Sequence, residues 1–346
     1  MLIIATVGPS TKEKAVLKDI IDGGANGLRL NFSHGNTEEF ERIIMEARGI
    51  KKDIHILQDL SGRKIRVSDK LNYIIKIYNG EQVMFCGEDV YKDNRYKSSN
   101  VIKKIIPLNI NSKELNSDKL IEISMKDNTM IFDIISINKM GLMAKVKRGG
   151  IVRAGKGCNI KGFPRDDISL SVKDREDLAW GINHSVDIIC QSFVESALDI
   201  KKVKSFVMSK NKLGYKPKIW AKVETPKGIK NLDEIIEEVD GVLIGRGDLI
   251  PESSLICTPI YEEEALRRLR GKNKDIIIGT HLLNSMKNGR RAELAEVESI
   301  YYKIKDGVTG FLLAGETSVG KAPIRTVEFL KKLIDRYEKI KGEEHE

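Results

Sequence analysis

The chain has 346 residues, 41% hydrophobic and 32% charged, with a formal net charge of +9 spread along its length. This is the composition of a soluble globular protein, long enough for two domains or for one barrel with an insertion. Cys86, Cys158, Cys190 and Cys257 form no CxxC pair, which argues against a zinc site or disulfide framework and for reduced thiols in the cytoplasm; no basic arm interleaved with aromatics points to nucleic acid, and no apolar run approaches the roughly 18 residues of a membrane span.

Three short apolar runs open the chain: LIIATVG (2–8), GLRLNFSHG (27–35) and DIHILQDLSG (53–62). The amphipathic helical patterns TKEKAVLKDIIDGGA and TEEFERIIMEARGIKK lie between them. The rhythm then changes. Residues 67–165 alternate apolar and polar and break at Asn79-Gly80, Asp127-Asn128 and Gly149-Gly150, which predicts a small all-β domain of short strands. Five more runs follow: VDIICQSF (186–193), KIWAKVE (218–224), GVLIGRGD (241–248), DIIIGT (275–280) and GFLLAGET (310–317). Helical patterns such as VKDREDLAWGINHS and ALDIKKVKSFVMSKNK alternate with them, and APIRTVEFLKKLIDRYEKI comes last, before the charged tail KGEEHE.

Eight βα units predict an α/β fold, a closed (β/α)8 TIM barrel built from residues 1–66 and 166–346. An open doubly wound sheet is the alternative, but eight near-continuous apolar strands favour closure. The β domain of 67–165 then sits in the third βα loop, on the barrel's C-terminal face, where it is placed to act as a lid.

Charged residues gather at the predicted strand ends. Lys222 and Glu224 are two residues apart, so they share one strand face. They form either a plain ion pair or a metal ligand beside a charge-stabilising lysine. Arg246 and Asp248 end the sixth strand. Neighbouring strands lie about 4.8 Å apart, so Glu224 and Asp248 can share one divalent ion, and two carboxylates suit Mg²⁺ or Mn²⁺. Thr280 ends the seventh strand and Asp59 the third, while Arg29, Asn31 and Ser33 alternate onto one face of the second. Arginines, a lysine and carboxylates in a closable cleft are equipment for phosphoryl transfer.

The stretches ATVGPST, GLRLNFSHG, LQDLSGRKIR, WAKVETPKGI, DGVLIGRGDL, IGTHLLNSM and LLAGETSVGKAPI resemble the pyruvate kinase family, in family order and across essentially the whole chain. The resemblance implies a cytoplasmic, glycolytic phosphotransferase that moves the phosphoryl group of phosphoenolpyruvate to ADP, giving pyruvate and ATP. It implies that Glu224 and Asp248 hold the divalent ion, and that Lys222 and Arg29 neutralise the phosphoryl group. Gly247, Asp248 and Thr280 would grip the substrate carboxylate, with Thr280 also near the proton path. Ser192 would lie on the substrate side or in the core. Pro9, Arg29, His34, Arg66 and Lys156 would contact the nucleotide. Asn31, Ser33, Asp59 and the Leu60 carbonyl would form a monovalent-cation site.

Plainer readings stand beside these. Asn31 and Ser33 can cap the following helix, His34 can bond to backbone, and Arg66 can pair with a surface acid. Lys156 can be an exposed turn lysine, Thr280 an ordinary strand residue, Arg246 a structural ion-pair partner and Glu316 a structural acid.

Several positions depart from the family pattern. Lys64 stands where potassium-dependent members tend to have glutamate, so a fixed ammonium is expected to replace K⁺. Gly62-Arg63 replaces Gly-Pro, Pro251 stiffens the turn after Asp248, and His281, Leu282 and Ala314 replace Gln, Met and Ser. The chain stops after its eighth helix, so the C-terminal effector domain is expected to be absent and the protein to be a monomer or a barrel-mediated homodimer. Two other functions compete: a metal-dependent lyase or aldolase acting on a pyruvate enolate, and a non-catalytic paralogue that binds nucleotide or a partner.

Overall fold

The structure, a computed structural model, describes residues 1–92, 104–125, 128–165, 170–210 and 214–343. The chain divides into two compact units: Met1–Gly62 with Ile168–Gly247 and Pro259–Glu346, and Arg63–Asp167 with Asp248–Thr258. The stretch from Asp248 to Thr258, assigned by sequence to the barrel, thus groups with the second unit.

The first unit is a closed parallel barrel. Its eight strands are Leu2–Thr6, Gly27–Asn31, His55–Asp59, Ile188–Gln191, Lys218–Val223, Gly241–Gly245, Asp275–Gly279 and Gly310–Leu313. Each pairs with its sequence neighbours, and the last closes on the first through Leu2 opposite Gly310. Apolar runs with both faces covered suit parallel strands. The inward residues Ile4, Leu57, Ile188, Cys190, Trp220, Leu243, Ile277 and Leu312 fill the interior, so the barrel is packed and its chemistry is confined to the strand ends.

Helices return the chain between strands. Asn36 caps the helix Thr37–Ile50 by accepting from the Glu39 amide, and Ser171 caps Val172–Asn183 by accepting from the Asp174 amide. Thr225 caps Pro226–Lys230, whose proline sits in the first turn, where no amide is missed. The helix from Ala197 ends at Lys210; Asn211 and Lys212, part of its sequence pattern, lie outside the described residues.

The second unit contains a seven-stranded sheet in the order Ile65–Arg66, Gly157–Ile160, Glu122–Met125, Met130–Asn138, Gly141–Arg148, Gln82–Gly87, Ile105–Leu108. A two-stranded ribbon pairs Ile75–Ile77 with Gly150–Val152. Phe85 and Phe132 pack edge to face at 5.1 Å in its core. At the sequence-marked turns Gly80 has φ 83° and Asn128 φ 63°, as tight reversals require; Asp127 lies outside the described residues. The all-β expectation needs one correction. A helical turn, Glu88–Lys92, and a 3-10 helix, Ser112–Leu115, interrupt the strands. The second is held by a capping box between Asn111 and Glu114.

Candidate active site

The barrel strands run parallel, so their C-terminal ends share one face, and there Asp59 is the organising residue. It closes the third strand and is 1% exposed. From the second strand, Arg29 donates to its Oδ2 through Nε at 2.7 Å and Nη2 at 2.6 Å. From the fifth, Lys222 Nζ reaches the same oxygen at 3.2 Å. Ser192 Oγ donates to Oδ1 at 2.9 Å. Lys222 also lies 3.3 Å from Glu224 Oε1, and Glu224 Oε2 accepts the Phe193 amide at 3.1 Å. Lys222 and Glu224 therefore do pair, inside a four-charge cluster in which two cations balance two carboxylates.

The cluster sets its own protonation. Burial alone would lift the Asp59 carboxyl, but Lys222, Arg29 and the hydrogen bonds outweigh it and hold the group below the usual carboxylate range. Burial alone would lower the Lys222 ammonium, but Asp59 and Glu224 outweigh it and raise it above the ordinary lysine value. Two glycines make room. A Cβ on Gly245 would lie 2.7 Å from Glu224 Cγ, and one on Gly62 would lie 2.4 Å from the Ser192 carbonyl. Gly62 also needs its φ of 58°.

The end of the sixth strand corrects the sequence reading. The strand stops at Gly245, and Arg246 and Asp248 lie in the helix Arg246–Glu252, with Pro251 buried inside it. Arg246 takes its structural reading. Its Nε and Nη2 donate to the Thr280 carbonyl at 3.0 and 2.6 Å, and Nη2 also donates to the His281 carbonyl at 2.8 Å. Thr280 and His281 have φ of 67° and 53°, a conformation that costs a β-branched residue about 1–3 kcal/mol. Thr280 is therefore not an ordinary strand residue. Its Oγ1 accepts the Gly247 amide at 2.7 Å. Glu316 is structural, accepting the Leu282 and Ala314 amides at 3.3 and 2.9 Å.

In the second unit Lys64 Nζ donates to both Asp248 oxygens at 2.6 and 2.7 Å. Asn159 bridges Asp248 and Glu252 at 3.3 and 2.9 Å. Arg165, 2% exposed, forms a two-pronged bond with Glu252 at 3.1 and 2.7 Å. Arg66 and Lys156 lie on adjoining segments: Arg66 Nη1 donates to the Gly155 carbonyl at 3.0 Å and Lys156 Nζ to the Ile151 carbonyl at 2.6 Å. Burial lowers the Arg66 pKa, against the pull of Asp248 and Asp69.

Residues 1–327 match the family model described as the barrel domain of pyruvate kinase. The chain belongs to the pyruvate kinase family. A pyruvate kinase of Thermococcus litoralis is 31% identical over 343 residues, which cover 98% of this chain and 70% of that protein. Pyruvate kinase 2 of Synechocystis is 31% identical over 342 residues, covering 97% and 56%, and a pyruvate kinase of Bacillus licheniformis 30% over 340, covering 97% and 57%. The chain thus spans little more than half the length of the latter two.

The remaining residues singled out for a pyruvate kinase site are placed as follows. Asn31 Oδ1 accepts the Ser33 amide at 3.1 Å, and Ser33 Oγ meets Ser61 Oγ at 3.3 Å; the capping role goes to Asn36. Leu60 is buried, with its amide on the Cys190 carbonyl at 2.9 Å. Pro9 and His34 are exposed in the turns after the first and second strands, and the His34 amide donates to the Asn31 carbonyl at 3.0 Å. Among the described residues, no three or more His, Cys, Asp or Glu side chains converge as a metal cage, and no helix is long and apolar enough to cross a membrane.

Sequence reading missed residues that hold these side chains in place. Asp174, which accepts the Gly62 amide at 3.2 Å, Glu262 and Arg165 carry no motif. Glu252, four residues after Asp248, shares its helix face only because the strand stops at Gly245 and a helix starts at Arg246.

Proposed function

We propose that the chain transfers the phosphoryl group of phosphoenolpyruvate to ADP, releasing pyruvate and ATP. The reading rests above all on the Arg29–Asp59–Lys222–Glu224 cluster, which gathers two cations and two carboxylates at one barrel end under low solvent exposure. Preorganised charge of this kind is what phosphoryl transfer asks of a protein.

Glu224 and Asp248 would hold a divalent ion. Their oxygens are the hard donors that Mg²⁺ takes, and two carboxylates leave the rest of its shell to water and substrate. Gly245 lets the backbone pass close against Glu224, where a Cβ would lie 2.9 Å from Oε1. When bound, the ion would supply charge neutralisation at the substrate's carboxylate and bridging oxygen.

The chain's own side chains do the rest. Lys222 and Arg29 bind the phosphoryl oxygens while the bond from phosphorus to the enol oxygen breaks and the bond to the terminal ADP oxygen forms. Arg66 and Lys156 bind nucleotide phosphates, and His34 and Pro9 border the nucleotide. The Gly247 amide and Thr280 hydroxyl hold the substrate carboxylate. The enolate of pyruvate left by that transfer then takes a proton at its methylene carbon, near Thr280, and becomes pyruvate.

The test is a coupled assay of pyruvate release from phosphoenolpyruvate, ADP and Mg²⁺. Release is expected from the parent and should be lost in Lys222→Met. Release that is absent, or indifferent to that substitution, removes the proposal.

A further inference from the structure

Thr280 and His281 are consecutive non-glycine residues at positive φ. Such a corner persists only where its surroundings over-determine it. Arg246 spans both of its carbonyls. Behind Arg246 stands Glu262, on the helix Thr258–Leu269, with Oε2 3.6 Å from Arg246 Nε. That oxygen is buried and has no hydrogen-bond partner. Glu262 Oε1 in turn pairs closely with Lys303 Nζ, from the helix Leu294–Lys305. The three side chains are only 10–12% exposed. Three charges in a row this deep are costly to bury unless each is compensated by the next.

We propose that Lys303, Glu262 and Arg246 form a buried relay of positioning residues that holds the Thr280–His281 corner in its left-handed conformation, and so sets where the Thr280 hydroxyl and the Gly247 amide stand for substrate. Lys303 compensates one oxygen of Glu262, which leaves the other to orient the guanidinium. Nη2 alone reaches both carbonyls, and Nε adds a second bond to that of Thr280, so the planar fork fixes the corner at two points where a single ammonium would supply one freely rotating point. Thr280 Oγ1 is tied to the Gly247 amide at 2.7 Å, so any slackening of the corner moves both groups that face the substrate.

The consequence for turnover rests on the function proposed above; the structural claim does not. The experiment is therefore run in two arms, on Arg246→Lys, Lys303→Met and Lys303→Arg, each checked for a parental melting curve. In crystal structures, Arg246→Lys should relax Thr280 and His281 towards negative φ. Lys303→Met should give the same shift in part, and Lys303→Arg, whose guanidinium can still reach Glu262, should keep the parental corner. In the assay, Arg246→Lys should raise the KM for phosphoenolpyruvate about tenfold with kcat changed less than about threefold, Lys303→Met should fall between it and the parent, and Lys303→Arg should restore parental values. Variant structures with both residues still at positive φ overturn the proposal, whether or not the parent turns over phosphoenolpyruvate. Relaxed corners without pyruvate release from the parent would leave the relay standing and remove the reaction. If Arg246→Lys melts early, the two Lys303 variants decide.

Discussion

Arg29 lies on Asp59 through two of its nitrogens, at 2.7 and 2.6 Å, and Lys222 reaches the same carboxylate oxygen at 3.2 Å. One buried acid thus holds two cations drawn from two other strands. Asp59→Asn should leave those cations with Glu224 as their one charged partner in the cluster. Removing one member of a buried charge group costs about 3–5 kcal/mol. Urea denaturation should show that loss, with pyruvate release falling in parallel; an unchanged midpoint would mean the cluster is not buried as described.

The same cluster predicts a flat pH response. Asp59 is depressed, so its stabilising contribution is present above the ordinary aspartate value and is lost as pH falls through its lower folded value. Lys222 is raised, so its contribution is complete below the ordinary lysine value and is lost only as pH rises through its higher folded value. Both stay charged between about pH 4 and pH 10. The pH profile of kcat/KM should show no lysine inflection between about pH 6 and pH 9. An inflection there that shifts in Lys222→Arg would contradict the assignment.

Gly245 offers a test that leaves both proposed ligands unmutated. A methyl group there would press on Glu224 Cγ at 2.7 Å and Oε1 at 2.9 Å. Gly245→Ala should therefore weaken Mn²⁺ binding, read by electron paramagnetic resonance, by about tenfold or more. Unchanged affinity would separate Glu224 from the ion.

Lys64 places its ammonium on both oxygens of Asp248, at 2.6 and 2.7 Å. Asp248 is the divalent ligand proposed above and not one of the monovalent set, so this contact does not itself fill a K⁺ site. The lysine at 64, where potassium-dependent relatives tend to have glutamate, is what predicts that an added monovalent cation is dispensable. Pyruvate release should persist in buffer free of Na⁺ and K⁺, and Lys64→Met should make it depend on K⁺. A strict K⁺ requirement in the parent would refute this.

Much of this protein is readable along the chain because the relevant signals are local. Eight apolar runs of strand length, separated by helical periodicity, determine a (β/α)8 barrel, and the switch to two-residue alternation marks the insertion. Lys222 and Glu224 share a face by spacing alone, and Arg29, Asp59 and Thr280 announce themselves by standing at strand ends. Tertiary structure decided how these groups pair. Asp59 takes Arg29 and Lys222 together, Lys64 turns to Asp248, and Arg246 leaves the substrate side to clamp Thr280 and His281. These partners lie 30 to 184 residues apart, so only barrel closure and chain crossing bring them within bonding distance. The left-handed corner at Thr280 is the sharpest case. A threonine's own preference opposes that conformation, while Arg246 donates to both carbonyls of the corner and the Gly247 amide to the Thr280 hydroxyl.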